Sequence, residues 1–270
     1  MTLERRHHVQ VSGSGPATIF FAHGFGCDQS MWRLVEPAYA KRFRTVKFDL
    51  MGAGHSDVAA YDPEKYATLQ GYADDVVELI EAFGRGPVVF VGHSVSAMIG
   101  MLADLKAPGL IAAHAMVGPS PCYINEGDYC GGFERQDIDS LLNTMEHNYL
   151  AWASAMAPAI MGAPDKPELS AELTANFCRA DPQIAKLFVR VIFLSDHRAE
   201  LPRLKTPTLI LQCSEDLIVP VAVGEYMSRV IPGSVLKIIQ NVGHCPHVSA
   251  PGATTDAIDG FLASQGLDRL

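Results

Sequence analysis

The 270-residue chain has no run approaching 18 uninterrupted apolar residues, so no segment has the length and apolarity of a membrane-crossing helix. Its first residues, Met-Thr-Leu-Glu-Arg-Arg-His-His, lead into no apolar stretch of the signal-peptide kind. Basic clusters are missing as well. Nothing exceeds Arg5-Arg6, and 21 Lys and Arg stand against 30 Asp and Glu, a net charge of −9 with the ten histidines neutral. A nucleic-acid partner asks for a basic face, so neither nucleic acid nor membrane is expected as a partner. The cysteines Cys27, Cys122, Cys130, Cys178, Cys213 and Cys245 form no C-x-x-C pair and no metal-ligand spacing. The expectation is six reduced thiols in a cytoplasmic protein, with no metal and no cofactor. Internal repeats, low-complexity segments and charge blocks are absent too. What is present is a globular composition, 48 % hydrophobic and 19 % charged, long enough to bury a core without a disulfide or metal staple.

Short β-rich runs alternate with longer helical patterns. Strands are predicted at 9–11, 17–22, 45–49, 87–92, 111–118, 207–213 and 234–240. Runs apolar throughout, such as Val88-Val89-Phe90-Val91, suit strands buried on both faces of a parallel sheet. Helices are predicted at 72–83 and 94–105, and the alternation argues for an α/β fold with helices on both faces. It is interrupted between about 119 and 204. There Ile138, Leu141, Leu142, Met145, Tyr149, Trp152 and Met156 trace one apolar stripe, an amphipathic helix of about 20 residues. Two more helices are predicted at 168–179 and 183–194, Asp181-Pro182 being a start signal for the second. The expected organisation is an α/β core of residues 1–118 and 205–270, with residues 119–204 as a helical cap over one end of the sheet.

Gly92-His93-Ser94-Val95-Ser96 follows a buried strand and opens a helix. That is the context of a nucleophile elbow, a tight strand-to-helix turn that exposes a serine hydroxyl. Ser96 replaces the second glycine of the usual G-x-S-x-G, keeping the position small. A serine hydroxyl needs a base, and the base an orienting acid. Asp216 lies past the strand at 207–213, with Glu215 as the rival acid. His244 follows the last strand, with His247 as the rival base; His244 comes first and follows Gly243, which lets the loop turn inward. Ser94, Asp216 and His244 thus fall beyond the carboxyl ends of three strands, where α/β sheets bind ligands. His23-Gly24-Phe25-Gly26 follows the strand at 17–22, so the Phe25 and Val95 amides are the candidate oxyanion donors. The loop Asp49–Ser56 reads as structural, His93 as a packing residue, and Cys27 and Cys245 as core thiols.

Over nearly its whole length the sequence resembles the α/β-hydrolase superfamily. Gly92-His93-Ser94-Val95-Ser96-Ala97-Met98-Ile99-Gly100 is similar to the elbow of the RsbQ-type bacterial stress regulators and of the plant karrikin and strigolactone receptors, whose pattern includes Ser96. Further matches are the stretches 117–123, 131–134, 148–152 and 195–198, and 243–247 is closer to the bacterial members. The resemblance implies an α/β-hydrolase fold, with a mostly parallel sheet and a four-helix cap over a deep apolar pocket lined by Phe25, Tyr123, Phe133, Trp152, Phe193 and Val219. It implies slow serine hydrolysis of a small hydrophobic ligand, coupled to stress signalling through a sensor-domain protein phosphatase. A carboxylesterase, or a carbon–carbon bond hydrolase of aromatic catabolism, would use the same triad. Haloalkane dehalogenases and epoxide hydrolases need Asp where this chain has Ser94.

Overall fold

A computed structural model describes residues 1–268. Seven strands form one sheet: β1 (Gln10–Ser12), β2 (Thr18–Ala22), β3 (Arg44–Phe48), β4 (Val88–His93), β5 (Ile111–Val117), β6 (Thr208–Glu215) and β7 (Val235–Val242). Their order is β1-β3-β2-β4-β5-β6-β7; β1 pairs antiparallel to β3, and every other pairing is parallel. All seven strands match the predicted runs to within a few residues. β2 and β4 are buried along their whole length, as their unbroken apolar runs require.

Side chains alternate between the two faces with the period of a strand. Phe20, Val46, Phe48, Phe90, Met116 and Ile210 belong to one core. Ile19, Phe21, Val89, Val91, Ala115 and Leu209 belong to the other. Helices α1 (Leu69–Phe83) and α2 (Val95–Lys106) supply Val76, Leu79 and Met98 to the first core. The second is closed by Trp32, Tyr39 and Phe43, with Ile258 and Phe261 of the last long helix.

Between β5 and β6 run α3 (Arg135–Met161), α4 (Pro167–Arg179) and α5 (Pro182–Leu194). The one amphipathic helix expected around Ile138–Met156 breaks in two. Asn148 leaves the helical region at φ −153°, ψ 76°, and its side-chain oxygen accepts the Ala151 N–H at 3.1 Å. Asparagine competes for backbone donors in this way and restarts the helix as a cap. The apolar stripe continues across the break, with Ile138, Leu142 and Met145 buried before it and Tyr149 and Trp152 after it, so periodicity alone does not reveal it. The insertion therefore presents four helical segments. Two further long helices complete the chain: α6 (Val221–Val230) and α7 (Pro251–Ser264). No helix among the described residues is long and apolar enough to cross a membrane.

Candidate active site

The turn from β4 into α2 bends at Ser94, whose φ of 54° lies where side-chain-bearing residues are uncommon. The turn is held by the Ser94 N–H donating to Val117 O at 2.8 Å. It is tight enough that a Cβ on Gly92 would lie 2.7 Å from the Ser96 carbonyl carbon. Ser96 does more than stay small: fully buried, it donates its hydroxyl to the His23 carbonyl at 2.5 Å. This bond ties the elbow to the loop His23-Gly24-Phe25. A Cβ on Gly24 would lie 2.5 Å from His93 Nδ1 and 3.3 Å from Ser94 Cβ, so glycine is what lets that loop run against the serine. Among the described residues neither the Val95 nor the Phe25 amide has a protein acceptor, which leaves both free to bind an anionic oxygen.

Ser94 Oγ lies 2.9 Å from His244 Nε2, and His244 Nδ1 lies 2.7 Å from Asp216 Oδ2. The carboxylate can only accept, so Nδ1 carries the imidazole proton and Nε2 accepts from the serine hydroxyl. The other Asp216 oxygen accepts the Ile218 and Val219 N–H groups at 2.8 and 3.1 Å. Burial pushes the Asp216 carboxyl upward. The electrostatic attraction and hydrogen bond of His244, with the two amides, outweigh burial and hold it below the usual carboxylate range. Of the rivals, Glu215 is exposed and contributes only its carbonyl, to Gly243 N–H at 2.7 Å. His247 is fully buried between Trp32 and His93, at ring distances of 4.5 and 4.3 Å. His93 packs beside His244 and donates from Nε2 to its carbonyl at 2.9 Å. The Asp49–Ser56 loop closes on the Asp49 carboxylate, which accepts from Gln29 and His55 N–H.

Above Ser94 and His244 the helices of the insertion wall a narrow, almost wholly apolar cavity of about 60 Å³. Phe25, Tyr123, Trp152 and Phe193 line it; Phe133 and Val219 do not. Phe133 sits behind the wall with its ring edge on Phe193 at 5.9 Å. Val219 faces the acid: its N–H binds Asp216 and its carbonyl accepts from Gln212 at 2.7 Å. Ile218 takes the lining position instead. Met156, Ile160, Phe177 and Ile192 also line the cavity. The apolar stripes of their helices are the signal for them, since the inner face of such a helix is the only one that can reach a ligand. Phe177 leans on a glycine, for a Cβ on Gly26 would lie 2.1 Å from its ring. Cys27 and Cys245 reach the wall as buried thiols, and burial pushes both well above the ordinary thiol range. The described residues hold no cluster of His, Cys, Asp or Glu suited to a metal ion.

A model of the alpha/beta hydrolase family matches residues 19–257. The chain is 41 % identical over 250 residues to Karrikin insensitive 2 receptor CA of Petunia hybrida, spanning 92 % of this chain and 93 % of that protein. It is 37 % identical over 245 residues to Strigolactone esterase D14 of Arabidopsis thaliana, spanning 90 % and 91 %. Among solved structures, a hydrolase from Oleispira antarctica superposes with a TM-score of 0.93 at 41 % identity, over 97 % of this chain and 96 % of the other. An enol-lactonase from Burkholderia xenovorans LB400 shares the fold at a TM-score of 0.82 and 22 % identity. On these matches the chain belongs to the alpha/beta hydrolase family, and it is a serine hydrolase.

Proposed function

We propose that the protein hydrolyses a small hydrophobic ester, lactone or enol ether through an acyl-enzyme. The carrying observation is the hydrogen-bonded chain from Ser94 through His244 to Asp216 at the floor of the apolar cavity. Ser94 Oγ attacks the carbonyl carbon while His244 Nε2 takes its proton, and Asp216 orients and stabilises the resulting imidazolium. The Phe25 and Val95 amides hold the oxyanion. His244 then gives the proton to the departing oxygen, leaving an acyl group on Ser94. Water enters by the same route in reverse, restoring the serine. The narrowness of the cavity, against a usual ligand pocket of roughly 300 Å³ or more, favours a small acyl group. Residues 119–204 act as the cap that excludes water from this chemistry.

A signalling role is supported by the 41 % identity to a plant receptor and by the RsbQ-type motifs, which point to a sensor-domain phosphatase as the protein partner. In that reading the cap is what the partner reads. A carboxylesterase without a partner would hold the same triad. The reaction is tested by Ser94→Ala and p-nitrophenyl acetate. The variant is expected to lose activity by roughly four orders of magnitude or more, with an unchanged melting temperature. Retention of more than about a tenth of wild-type activity would remove Ser94 from its role.

A further inference from the structure

Ser96 stands where the usual elbow carries a second glycine, and keeping the turn tight does not call for its hydroxyl. It is fully buried in the first turn of α2. Hydroxyls on other helices of the chain are satisfied one turn back: Thr144 donates to Ser140 O and Thr174 to Ser170 O, both at 2.8 Å. Ser96 instead reaches a segment 73 positions earlier in the chain, donating to His23 O at 2.5 Å.

The two segments so joined carry the candidate oxyanion donors. The ladder between β2 and β4 ends at Ala22 and Gly92, so the Phe25 and Val95 amides each lie three residues beyond it. The Ser96 hydroxyl carries the link past that point, for Val95 directly precedes it and Phe25 lies two residues after His23. Within the loop, His23 passes the constraint on. Its Nε2 accepts the Leu50 N–H at 3.0 Å, so Nδ1 carries the ring proton and donates to Gly24 O at 2.8 Å. The same carbonyl accepts the Cys27 N–H at 3.3 Å. Gly24 O and the Phe25 N–H are opposite edges of one planar trans peptide. Two donors on the carbonyl therefore fix the direction in which the Phe25 N–H points, and by polarising the peptide they strengthen it as a donor.

The oxyanion forms when Ser94 Oγ adds to the carbonyl carbon and the carbonyl electron pair moves onto oxygen. Both donors must then lie within about 2.7–3.1 Å of that one atom, so their separation, a distance between two chain segments, decides how well they serve it. Resting on the assignment of Ser94 as nucleophile and of these amides as its oxyanion donors, we propose that Ser96 is a positioning residue. Its hydroxyl sets the spacing of the Phe25 and Val95 amides. It touches no substrate, and no covalent bond of Ser96 breaks.

The test compares kcat/KM for p-nitrophenyl acetate and for its thiono analogue, in which sulfur replaces the carbonyl oxygen. Wild type, Ser96→Ala and Ser96→Gly are measured, the last restoring the usual elbow residue. A thiocarbonyl sulfur is larger and a weak acceptor, so its addition step draws little on the amides. Ser94, His244 and Asp216 act on both esters alike. Both variants are expected to lose about tenfold on the oxygen ester, the cost of a donor displaced by a fraction of an ångström. On the thiono ester the loss should stay below about twofold, so the preference for oxygen over sulfur falls. That ratio does not depend on how much of a preparation is folded. Equal losses on the two esters assign Ser96 to packing, and unchanged rates mean that the amides keep their spacing without it; either result overturns the proposal. Failure of the underlying assignments shows separately. It would appear as hydrolysis of the oxygen ester by Ser94→Ala, or as a wild-type preference for oxygen no larger than that of hydroxide in solution.

Discussion

Ser94 is held at a positive φ by bonds on both sides, Val117 behind it and the Ser96–His23 bond beside it. Strain of this kind, of order 1–3 kcal/mol, persists only where the surroundings over-determine the conformation. Its partner chain ends in Asp216, and here two adjacent carboxylates separate by environment. Asp216 is buried against His244 and two amides, while Glu215 faces solvent. Asp216→Asn is expected to lower kcat by about 10⁴, because an amide lets the imidazole adopt the wrong tautomer. Glu215→Gln is expected to stay near wild type; steady-state rates for the two variants on one ester decide between the carboxylates. At this scale the sequence is informative wherever backbone geometry demands a residue type. The elbow glycine, the loop glycines and the Asp and His beyond strand ends all stand out. Val219 and Phe133 do not, because an apolar residue near a site reads the same whether it touches ligand, acid or second-layer ring.

Elements carry the site through their ends. The loop bearing His244 is pinned to the carboxyl end of α3, where the His244 N–H donates to Ile160 O at 2.7 Å. Gly162 and Gly243 pass back to back, both at positive φ; a Cβ on Gly243 would lie 2.1 Å from Met161 O. The insertion and the imidazole are thus one mechanical unit. Gly243→Ala meets both a backbone collision and an unfavourable φ of 102°. It is expected to displace His244 and cut kcat about a hundredfold, the cost of roughly 1 Å of misplacement. Gly233→Ala is the control: also at positive φ, it has open space around its Cβ position. It should lose about 1–2 kcal/mol of stability with kcat unchanged. Rates and melts of the two variants together separate strain from misplacement. The close approach is not legible in the sequence, since it joins residues from distant stretches. The Asn148 break is missed for another reason, that the apolar stripe continues through it.

Across the whole molecule seven strands can be read from the chain as hydrophobic runs, whereas their order in the sheet is set by long-range pairings that those runs do not encode. What composition does not disclose is how the histidines are spent. His7, His93 and His247 are nearly inaccessible. Burial pushes His93 down to about 3, with the neighbouring His244 charge acting in the same direction. Burial likewise drives His247 well below its ordinary range, and repulsion from the cationic Arg33, and from His93, His244 and His23 whenever they are protonated, acts in the same direction. His7 is lowered by burial against the pull of Asp75. All three are neutral in the fold yet titrate near 6.5 in the unfolded chain. Below about 6.5 the unfolded state binds protons that the native state refuses, so stability is full above that pH and falls as acid is added. The fall continues toward the depressed native values, at about 1.4 kcal/mol per pH unit for each such histidine. Asp216 and Asp28, both held below the usual carboxylate range, add a further loss, confined to pH below about 4. Urea unfolding at pH 7, 6, 5 and 4 is therefore expected to steepen from 6.5 downward, before the carboxylates titrate. His247→Phe keeps an aromatic ring against Trp32 and removes one of these protons. Its slope between pH 6 and 4 should be shallower than wild type by about 1.4 kcal/mol per pH unit, and parallel slopes would mean that His247 is protonated in the fold.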